Sequence, residues 1–206
     1  MDTELALAWI RETAAAVERQ ESYLTELDSA IGDGDHGSNL RRGFTAVITA
    51  LDTLEPDSIG AVLAKTGTTL ISKVGGASGP LYGSAFRAMG KALPQATATP
   101  AELAAALAEG LLAIQQLGGA APGDKTIVDA WAPATAAFEA AAADGLPSAA
   151  DAADAAAAQG ARDTVPLQAR KGRASYLGPR STGHQDPGAT STALLFHTLA
   201  QVTHAA

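Results

Sequence analysis

Three aspartates that lie close together in the sequence have the clearest chemical potential. Asp28, Asp33 and Asp35 fall within eight residues, and the last two belong to a glycine-rich turn that covers residues 31–37. Such a turn can bring three carboxylates to one point, and Mg²⁺ is commonly held by a few carboxylates together with substrate phosphates. The sequence therefore predicts a magnesium site. The alternative, carboxylates that cap the following helix, accounts for one of the three aspartates.

Two better-known sites share part of this pattern, and both are excluded. Counted from Asp33, an EF-hand requires Asp or Asn at the fifth position and Glu at the twelfth, where this chain has Gly37 and Phe44. The spacing of Gly32, Gly34 and Gly37 matches the dinucleotide fingerprint, but the preceding segment is predicted to be helical. Two of the intervening positions are aspartates, which would repel a pyrophosphate unless they held a cation.

Four glycine-rich segments interrupt the chain, and a helix is predicted to begin after each of them. They lie within residues 32–37, 75–80, 118–124 and 170–188. The first turn of a helix carries unpaired N–H groups and the positive end of the helix dipole, which together can hold phosphate. A glycine can also simply mark the end of a helix, so a single glycine-rich segment does not indicate a phosphate site. Four of them in one chain predict a polyphosphate site.

Ser78 lies in the second of these segments and is predicted to bind phosphate. Residues 76–80 resemble the Gly-x-Ser-x-Gly nucleophile elbow, but Pro80 stands where the second glycine would be. The chain also has no Gly-x-x-x-x-Gly-Lys-Ser/Thr sequence, so it is not a P-loop protein.

A basic run precedes the last predicted helix. No acidic residue lies between Asp163 and Asp186, whereas four basic ones do: Arg170, Lys171, Arg173 and Arg180. Guanidinium groups suit phosphate oxygens, although a solvated surface is the usual place for such charges. His36 and His184 could each be a base, a ligand or a structural residue, and the acidic turn favours His36. His197 and His204 are expected to be ordinary surface or packing residues.

Helices are expected to position these residues. Alanine makes up about a quarter of the chain, which favours helix, and small side chains let helices pack closely. Apolar spacing predicts about eight helices, the first from about residue 3 to 30 and the second capped by Ser38 or Asn39. A third covers residues 59–74, of which 68–71 could instead form a short strand. Asp124 and Asp186 are predicted N-caps.

Composition limits the remaining possibilities. With 206 residues, we expect one domain, 1–206. The chain has no cysteine, which excludes thiolate chemistry, and its net charge of −8 argues against a broad nucleic-acid or anionic-membrane surface. The acidic N-terminus and the lack of a long apolar run predict a soluble, cytoplasmic protein without a direct nucleic-acid or membrane partner.

Taken together, four ordered segments resemble a known family. Residues 28–39, 75–83, 122–126 and 172–189 are similar to the nucleotide-binding L subunit of bacterial dihydroxyacetone kinases, the same module as the C-terminal domain of the single-chain, ATP-dependent kinases. The resemblance implies an all-α barrel of about eight antiparallel helices with the nucleotide site at one end.

The resemblance also implies which residues bind the cofactors. It assigns two Mg²⁺ ions to Asp28, Asp33 and Asp35. Contacts to ADP or ATP carry over to His36, Gly37, Ser38, Asn39, Ala77, Ser78, Gly118, Ile127, Arg173, Asp186, Pro187 and Gly188. The assignments of Gly118 and Ile127 rest on alignment through variable sequence, outside the four motifs.

The same resemblance implies partners. The phosphoryl acceptor, dihydroxyacetone, would be held by a separate subunit, and the donor would be a phosphotransferase-system subunit or ATP. A homodimer and a transcriptional regulator as a further partner are also expected. Two alternatives remain: an ATP-exchanging kinase subunit for another ketose, a polyol or a fatty acid, and a nucleotide-sensing regulatory protein. The intact set of metal and phosphate residues favours catalysis.

Overall fold

A computed structural model describes residues 1–205, and this part of the chain is all-α, as predicted. None of its helices combines the length and apolar character needed to cross a bilayer. The α-helices of this part are α1 (Thr3–Arg19), α2 (Glu21–Ile31), α3 (His36–Leu51), α4 (Ile59–Lys73), α5 (Ser78–Ala92), α6 (Pro100–Gly118), α7 (Val128–Ala141), α8 (Leu146–Asp163) and α9 (Pro187–Ala205). Two 3-10 helices cover Ala142–Asp144 and Arg173–Ser181, and we call the second the rim segment.

Several helix boundaries differ from the sequence-based predictions. The first predicted helix is two helices, because the backbone at Gln20 leaves the helical region (φ −103°, ψ 7°) and separates α1 from α2. Helix α3 begins at His36, ahead of the predicted caps Ser38 and Asn39. Residues 68–71 are helical within α4 rather than a strand. Residues 140–158, which are rich in alanine, belong to the end of α7 and to α8, with the short 3-10 helix Ala142–Asp144 and Gly145 between them.

The two predicted aspartate caps have different outcomes. Asp186 caps α9, since its carboxylate accepts a hydrogen bond from the Ala189 N–H (2.7 Å). The Asp124 prediction is wrong, because α7 begins four residues later at Val128 and the Asp124 carboxylate accepts instead from the Ala121 N–H (2.9 Å). The turn before α7 is stabilised by Asp129, whose carboxylate accepts from the N–H groups at positions 123 and 126.

The helices pack in a cyclic order. From α3 to α9 each helix packs against the next, and α1 packs against both α9 and α3. Helix α2 lies outside this order and contacts α3 and α9. The residues at which α3, α5, α7 and α9 begin lie around one cavity, so these four helices begin at the same end of the molecule.

Small residues permit this close packing. A Cβ atom on Gly67 in α4 would lie 2.5 Å from the Gly83 carbonyl oxygen in α5, and one on Gly83 would lie 2.6 Å from the Gly67 carbonyl oxygen. The two backbones are therefore nearly in contact, as the alanine- and glycine-rich composition predicted. Large side chains fill the core elsewhere: Trp131 stacks edge-on against Phe196, with ring centroids 5.4 Å apart.

Lys125 braces the end of the molecule at which these four helices begin. Its residue surface is 1 % exposed, and its ammonium donates three hydrogen bonds, to the carbonyl oxygens of Leu167 (3.0 Å), Ser181 (2.7 Å) and His184 (2.5 Å). An ammonium has three donors, so all of them are used. Burial lowers the pKa of this lysine, which makes the three carbonyl partners necessary for the charged form. The brace ties the turn before α7 to the segment between α8 and α9.

The backbone at Lys125 supports the same conclusion. Its φ is +63°, in the left-handed region that side chains other than glycine rarely adopt. Such strain, typically about 1–3 kcal/mol, persists only where the surroundings impose it. The surroundings here are the three carbonyl oxygens that fix the ammonium.

We predict that Lys125→Met lowers the free energy of unfolding by about 2 kcal/mol, because three buried carbonyls lose their common donor. Chemical denaturation measures this loss. Amide hydrogen exchange should rise in residues 165–185 ahead of the helices. Lys65→Met, on the exposed surface of α4, is the matched control and should change stability by no more than about 0.5 kcal/mol. An equal loss of unfolding free energy in both variants would contradict the stabilising role of Lys125.

Candidate functional site

A cavity of about 320 Å³ opens where α3, α5, α7 and α9 begin. Each of the four helix starts supplies part of its wall, at His36, Ser78, Ile127 and Pro187. The four glycine-rich segments of the sequence therefore meet at one place, as predicted. Their first-turn N–H groups and dipoles make this end of the molecule favourable for an anion.

Most of the predicted site residues line this cavity. Those that do are Asp28, Asp33, Asp35, His36, Asn39, Ala77, Ser78, Gly118, Ile127, Arg173, Asp186, Pro187 and Gly188. Gly37 and Ser38 lie in the first turn of α3 but are not part of the lining. A Cβ on Gly37 would clash with the backbone of α2, so this glycine lets the two helices approach. Ser38 Oγ donates to the Asp35 carbonyl oxygen (3.0 Å).

The three aspartates converge at the mouth of the cavity. One carboxylate oxygen from each of Asp28, Asp33 and Asp35 can be chosen so that all three lie within 4.8 Å of one another. Asp28 is buried, and its Oδ2 accepts from the backbone N–H groups of Asp35 (2.8 Å) and His36 (3.1 Å). These bonds fix Asp28 at the start of α3, while Asp33 and Asp35 are exposed.

The turn that brings them together depends on glycine. A Cβ on Gly32 would overlap the Asp28 carboxylate, so only glycine lets the chain pass this close to it. Gly34 has a φ of +74°, in the left-handed region that glycine adopts without strain. Hard oxygen donors grouped in this way fit Mg²⁺, which keeps further coordination positions for phosphate oxygens and water.

Arg173 adds a positive charge beside the carboxylates. Its Nε lies 3.0 Å from Asp33 Oδ2, and about two thirds of its side chain is exposed. Arg173 lines the cavity together with these carboxylates, so the remaining donors of its guanidinium are available to a phosphate in the cavity. Lys171 also lines this side, whereas Arg170 and Arg180 lie outside the lining.

His36 joins three of the helix starts. Its Nδ1 is hydrogen-bonded to Ser78 Oγ of α5 (3.1 Å) and its Nε2 to Ser191 Oγ of α9 (2.9 Å). Tyr82 extends the network, since its hydroxyl lies 2.7 Å from Ser191 Oγ. Burial lowers the pKa of His36 to about 4, against the raising effect of Asp28 and Asp35. The ring is neutral at physiological pH, and with both nitrogens occupied by hydroxyls it serves as a structural tie.

Asp186 places a carboxyl group on the cavity wall at the start of α9. Its backbone N–H donates to Thr164 Oγ1 (2.9 Å), and Thr164 Oγ1 donates to the Ala161 carbonyl oxygen (2.6 Å). Burial raises the pKa of this carboxyl to about 7, although the hydrogen bond from Ala189 lowers it. The Lys125 ammonium lowers it further and so favours the charged form.

One wall of the cavity is apolar, and the sequence did not single it out. Besides Ile127, it contains Leu81 of α5 together with Ile114 and Leu117 near the end of α6. Leu117 is 55 % exposed, which is high for a leucine and marks the rim of an open site. A flat, partly apolar group such as a purine base fits between such a wall and a phosphate-binding end.

Lys125 and Thr126 also line the cavity, and neither was predicted from the sequence to be a site residue. Both belong to residues 122–126, one of the four segments that carry the family resemblance. His184, an alternative candidate base, contributes its backbone carbonyl to Lys125 and its side chain is not in the lining. His197 and His204 are exposed beside Asp154 and Asp151 on α8, away from the cavity, as predicted.

Comparisons with known proteins agree with this geometry. The family model described as the DAK2 domain matches residues 30–201. The chain is 42% identical over 200 residues to the ADP-binding subunit DhaL of PEP-dependent dihydroxyacetone kinase 1 from Listeria innocua, covering 97% of this chain and 96% of that one. The corresponding DhaL subunit of Escherichia coli is 43% identical over 195 residues, covering 93% of each chain.

A solved structure shows a similar fold. The dihydroxyacetone kinase from C. freundii, in complex with AMP-PNP and Mg²⁺, matches with a TM-score of 0.77 and 30% identity. The match covers 98% of this chain but 34% of that one, so it corresponds to one part of a longer kinase. With the family model extending over most of the chain, these similarities show that this chain belongs to the DAK2 domain family.

Proposed function

We propose that this chain is the ADP-binding subunit of a dihydroxyacetone kinase. It would hold Mg²⁺ and a nucleotide, and pass a phosphoryl group through that nucleotide to dihydroxyacetone on a partner subunit. The observation that carries the proposal is the convergence of four helix starts and three carboxylates on one cavity. The similarity to DhaL subunits over 93–97% of this chain supports the role of an ADP-binding subunit.

The metal assignment follows from the donor set. As the family resemblance implies, Asp28, Asp33 and Asp35 would hold two Mg²⁺ ions, and the convergence of their carboxylates at the cavity supports the metal assignment. When bound, the ions neutralise charge on the transferred phosphoryl group. Asp28 would be the fixed ligand, since its orientation is set by two backbone N–H groups.

The nucleotide assignment uses both walls of the cavity. The phosphates would lie at the starts of α3, α5 and α9, near Ser78 and Gly188, and the Arg173 guanidinium would contact them. The base would lie against Leu81 and Ile127. The nucleotide contacts implied for Gly37 and Ser38 stay predictions, as do the homodimer and the transcriptional regulator.

The residues of this chain act by positioning and electrostatics. Phosphoryl transfer needs little covalent help from the protein, so holding the nucleotide in line with its acceptor supplies most of the catalysis. The neutral His36 keeps three helix starts in register, and Arg173 adds positive charge where charge develops. No residue of this cavity needs to be a nucleophile.

The fold proposal extends the observed packing order. The cyclic contacts among α1 and α3–α9 support a closed barrel of eight antiparallel helices with the nucleotide at the end where α3, α5, α7 and α9 begin. Helix α2 would lie outside that barrel and carry Asp28 to its mouth.

We predict that Asp33→Asn weakens Mg²⁺-dependent ADP binding by at least about tenfold, because one of three converging ligands loses its charge. Isothermal titration with ADP in the presence of Mg²⁺ measures the effect. Folding stability should change by no more than about 0.5 kcal/mol, since this aspartate is exposed. Asp144→Asn, at the opposite end of α7, is the control. Unchanged ADP affinity in the Asp33 variant would rule out the metal assignment.

We predict that the purified chain alone has no dihydroxyacetone kinase turnover and that adding the cognate substrate-binding subunit restores it. The described residues form one cavity with a phosphate-binding end and an apolar wall, and this cavity would be filled by the nucleotide. A coupled assay that follows dihydroxyacetone phosphate tests this. Substantial turnover by the chain alone would refute the proposal that a partner subunit holds the phosphoryl acceptor.

We predict that ADP stays bound between turnovers, as it would in a kinase fed by a phosphotransferase-system protein. Four helix starts, a carboxylate-held cation and Arg173 acting on one diphosphate should make its release slow. Protein purified without added nucleotide should retain about one ADP after desalting, and labelled ADP should exchange more slowly than turnover. Protein that emerges empty, or label that exchanges in each cycle, would favour ATP as the donor.

A further inference from the structure

The rim segment carries the most exposed large apolar side chain among the described residues. Tyr176 is 88 % exposed, whereas the next, Leu117 at the cavity mouth, is 55 % exposed. An aromatic ring presented in this way has almost no contact with its own chain, so folding does not account for its position. Tyrosine is among the residues that most often anchor protein–protein interfaces.

The sequence on both sides of Tyr176 is basic, in a chain of net charge −8. Arg170, Lys171 and Arg180 are exposed, and none of them forms an ion pair with any residue between 1 and 205. These three exposed residues carry a net positive charge, because no acidic residue lies between positions 163 and 186 and the ion pair of Arg173 with Asp33 does not involve them. We call them the basic patch. An acidic partner surface would complement it.

The rim segment is held in place, so its exposed side chains are presented on a stable backbone. Ala174 is buried against Ile31 and Ala169, with Leu177 packed on the same small cluster. Ser181 Oγ donates to the Gly178 carbonyl oxygen (2.7 Å) and accepts from the Ala169 N–H (2.9 Å). A surface that is already ordered loses less conformational entropy when a partner binds.

The rim segment also lies beside the phosphate end of the cavity. It begins at Arg173, which pairs with Asp33 of the carboxylate cluster, and it packs against α2, which carries Asp28. Any protein that receives a phosphoryl group from a nucleotide bound there must approach within contact distance of this segment.

We propose that Tyr176, together with the exposed Arg170 and Arg180 that precede and follow it in the sequence, is the docking surface for the subunit that carries the phosphoryl acceptor, through an acidic surface with an apolar depression for the ring. This rests on the proposed function. A protein donor would approach the same end, but only if the donor is a protein, whereas the acceptor subunit must approach with either donor. A second copy related by a twofold axis would place this basic patch against itself.

The test uses the complete chain and its cognate substrate-binding subunit in a dihydroxyacetone kinase assay, with this chain as the varied component. Tyr176→Ala should raise the KM for the chain by about tenfold, as loss of an interface anchor does. Arg180→Glu should raise it further, with an effect that shrinks as salt is added. Tyr23→Ala, on the exposed surface of α2, is the matched control and should leave the KM unchanged.

Two further measurements separate the outcomes. Direct titration of the ADP-loaded chain with the substrate-binding subunit should show the same weakening, while the affinity of each variant for ADP and Mg²⁺ stays that of the wild type. An unchanged KM for both rim variants overturns the proposal, as does weakened binding of only a protein phosphoryl donor or a change only in self-association. If the wild-type pair shows no turnover at all, the proposed function fails rather than the docking surface.

Discussion

Four helices begin at one cavity, and the positive ends of their dipoles would repel one another if nothing negative lay between them. The packing order, in which each helix from α3 to α9 contacts the next, is compatible with this arrangement of alternate helix starts at one end. Carboxylates at that end offset the repulsion between the positive ends of the helix dipoles. Asp28 accepts from the start of α3, Asp129 from the turn before α7, and Asp186 from the first turn of α9.

The same carboxylates affect the binding of a phosphate. An end of the molecule rich in carboxylates would repel a phosphate, even though helix N–H groups favour it. A divalent cation held by these carboxylates would resolve the conflict by supplying positive charge to the phosphate. Arg173, which pairs with Asp33, adds positive charge beside the carboxylates. The acidic cluster and the proposed need for Mg²⁺ therefore have the same physical origin.

The geometry of this site depends on contacts far from the acidic turn in the sequence. Backbone contact between Gly67 and Gly83 brings α4 and α5 together, and His36 links α3 to α5 and α9 through two serine hydroxyls. Lys125 then fixes the segment after α8, which carries Arg173, to the turn before α7. Each tie joins residues more than forty positions apart or two different helices, so the cavity is a property of the assembled fold.

The sequence by itself determined the helical class, the three metal-binding candidates and the four glycine-rich helix starts, because these features depend on local propensity, spacing and side-chain chemistry. It also placed the cap at Asp186, where the proline that follows marks the first helical position. The break at Gln20 and the hydrogen bonds that Asp129 accepts before α7 are local features that the spacing of apolar residues does not reveal. Only the tertiary structure decided the apolar wall at Leu81 and Leu117 and the brace at Lys125. These depend on contacts between distant segments, and periodicity in one sequence carries no information about which distant carbonyl or side chain a residue will meet.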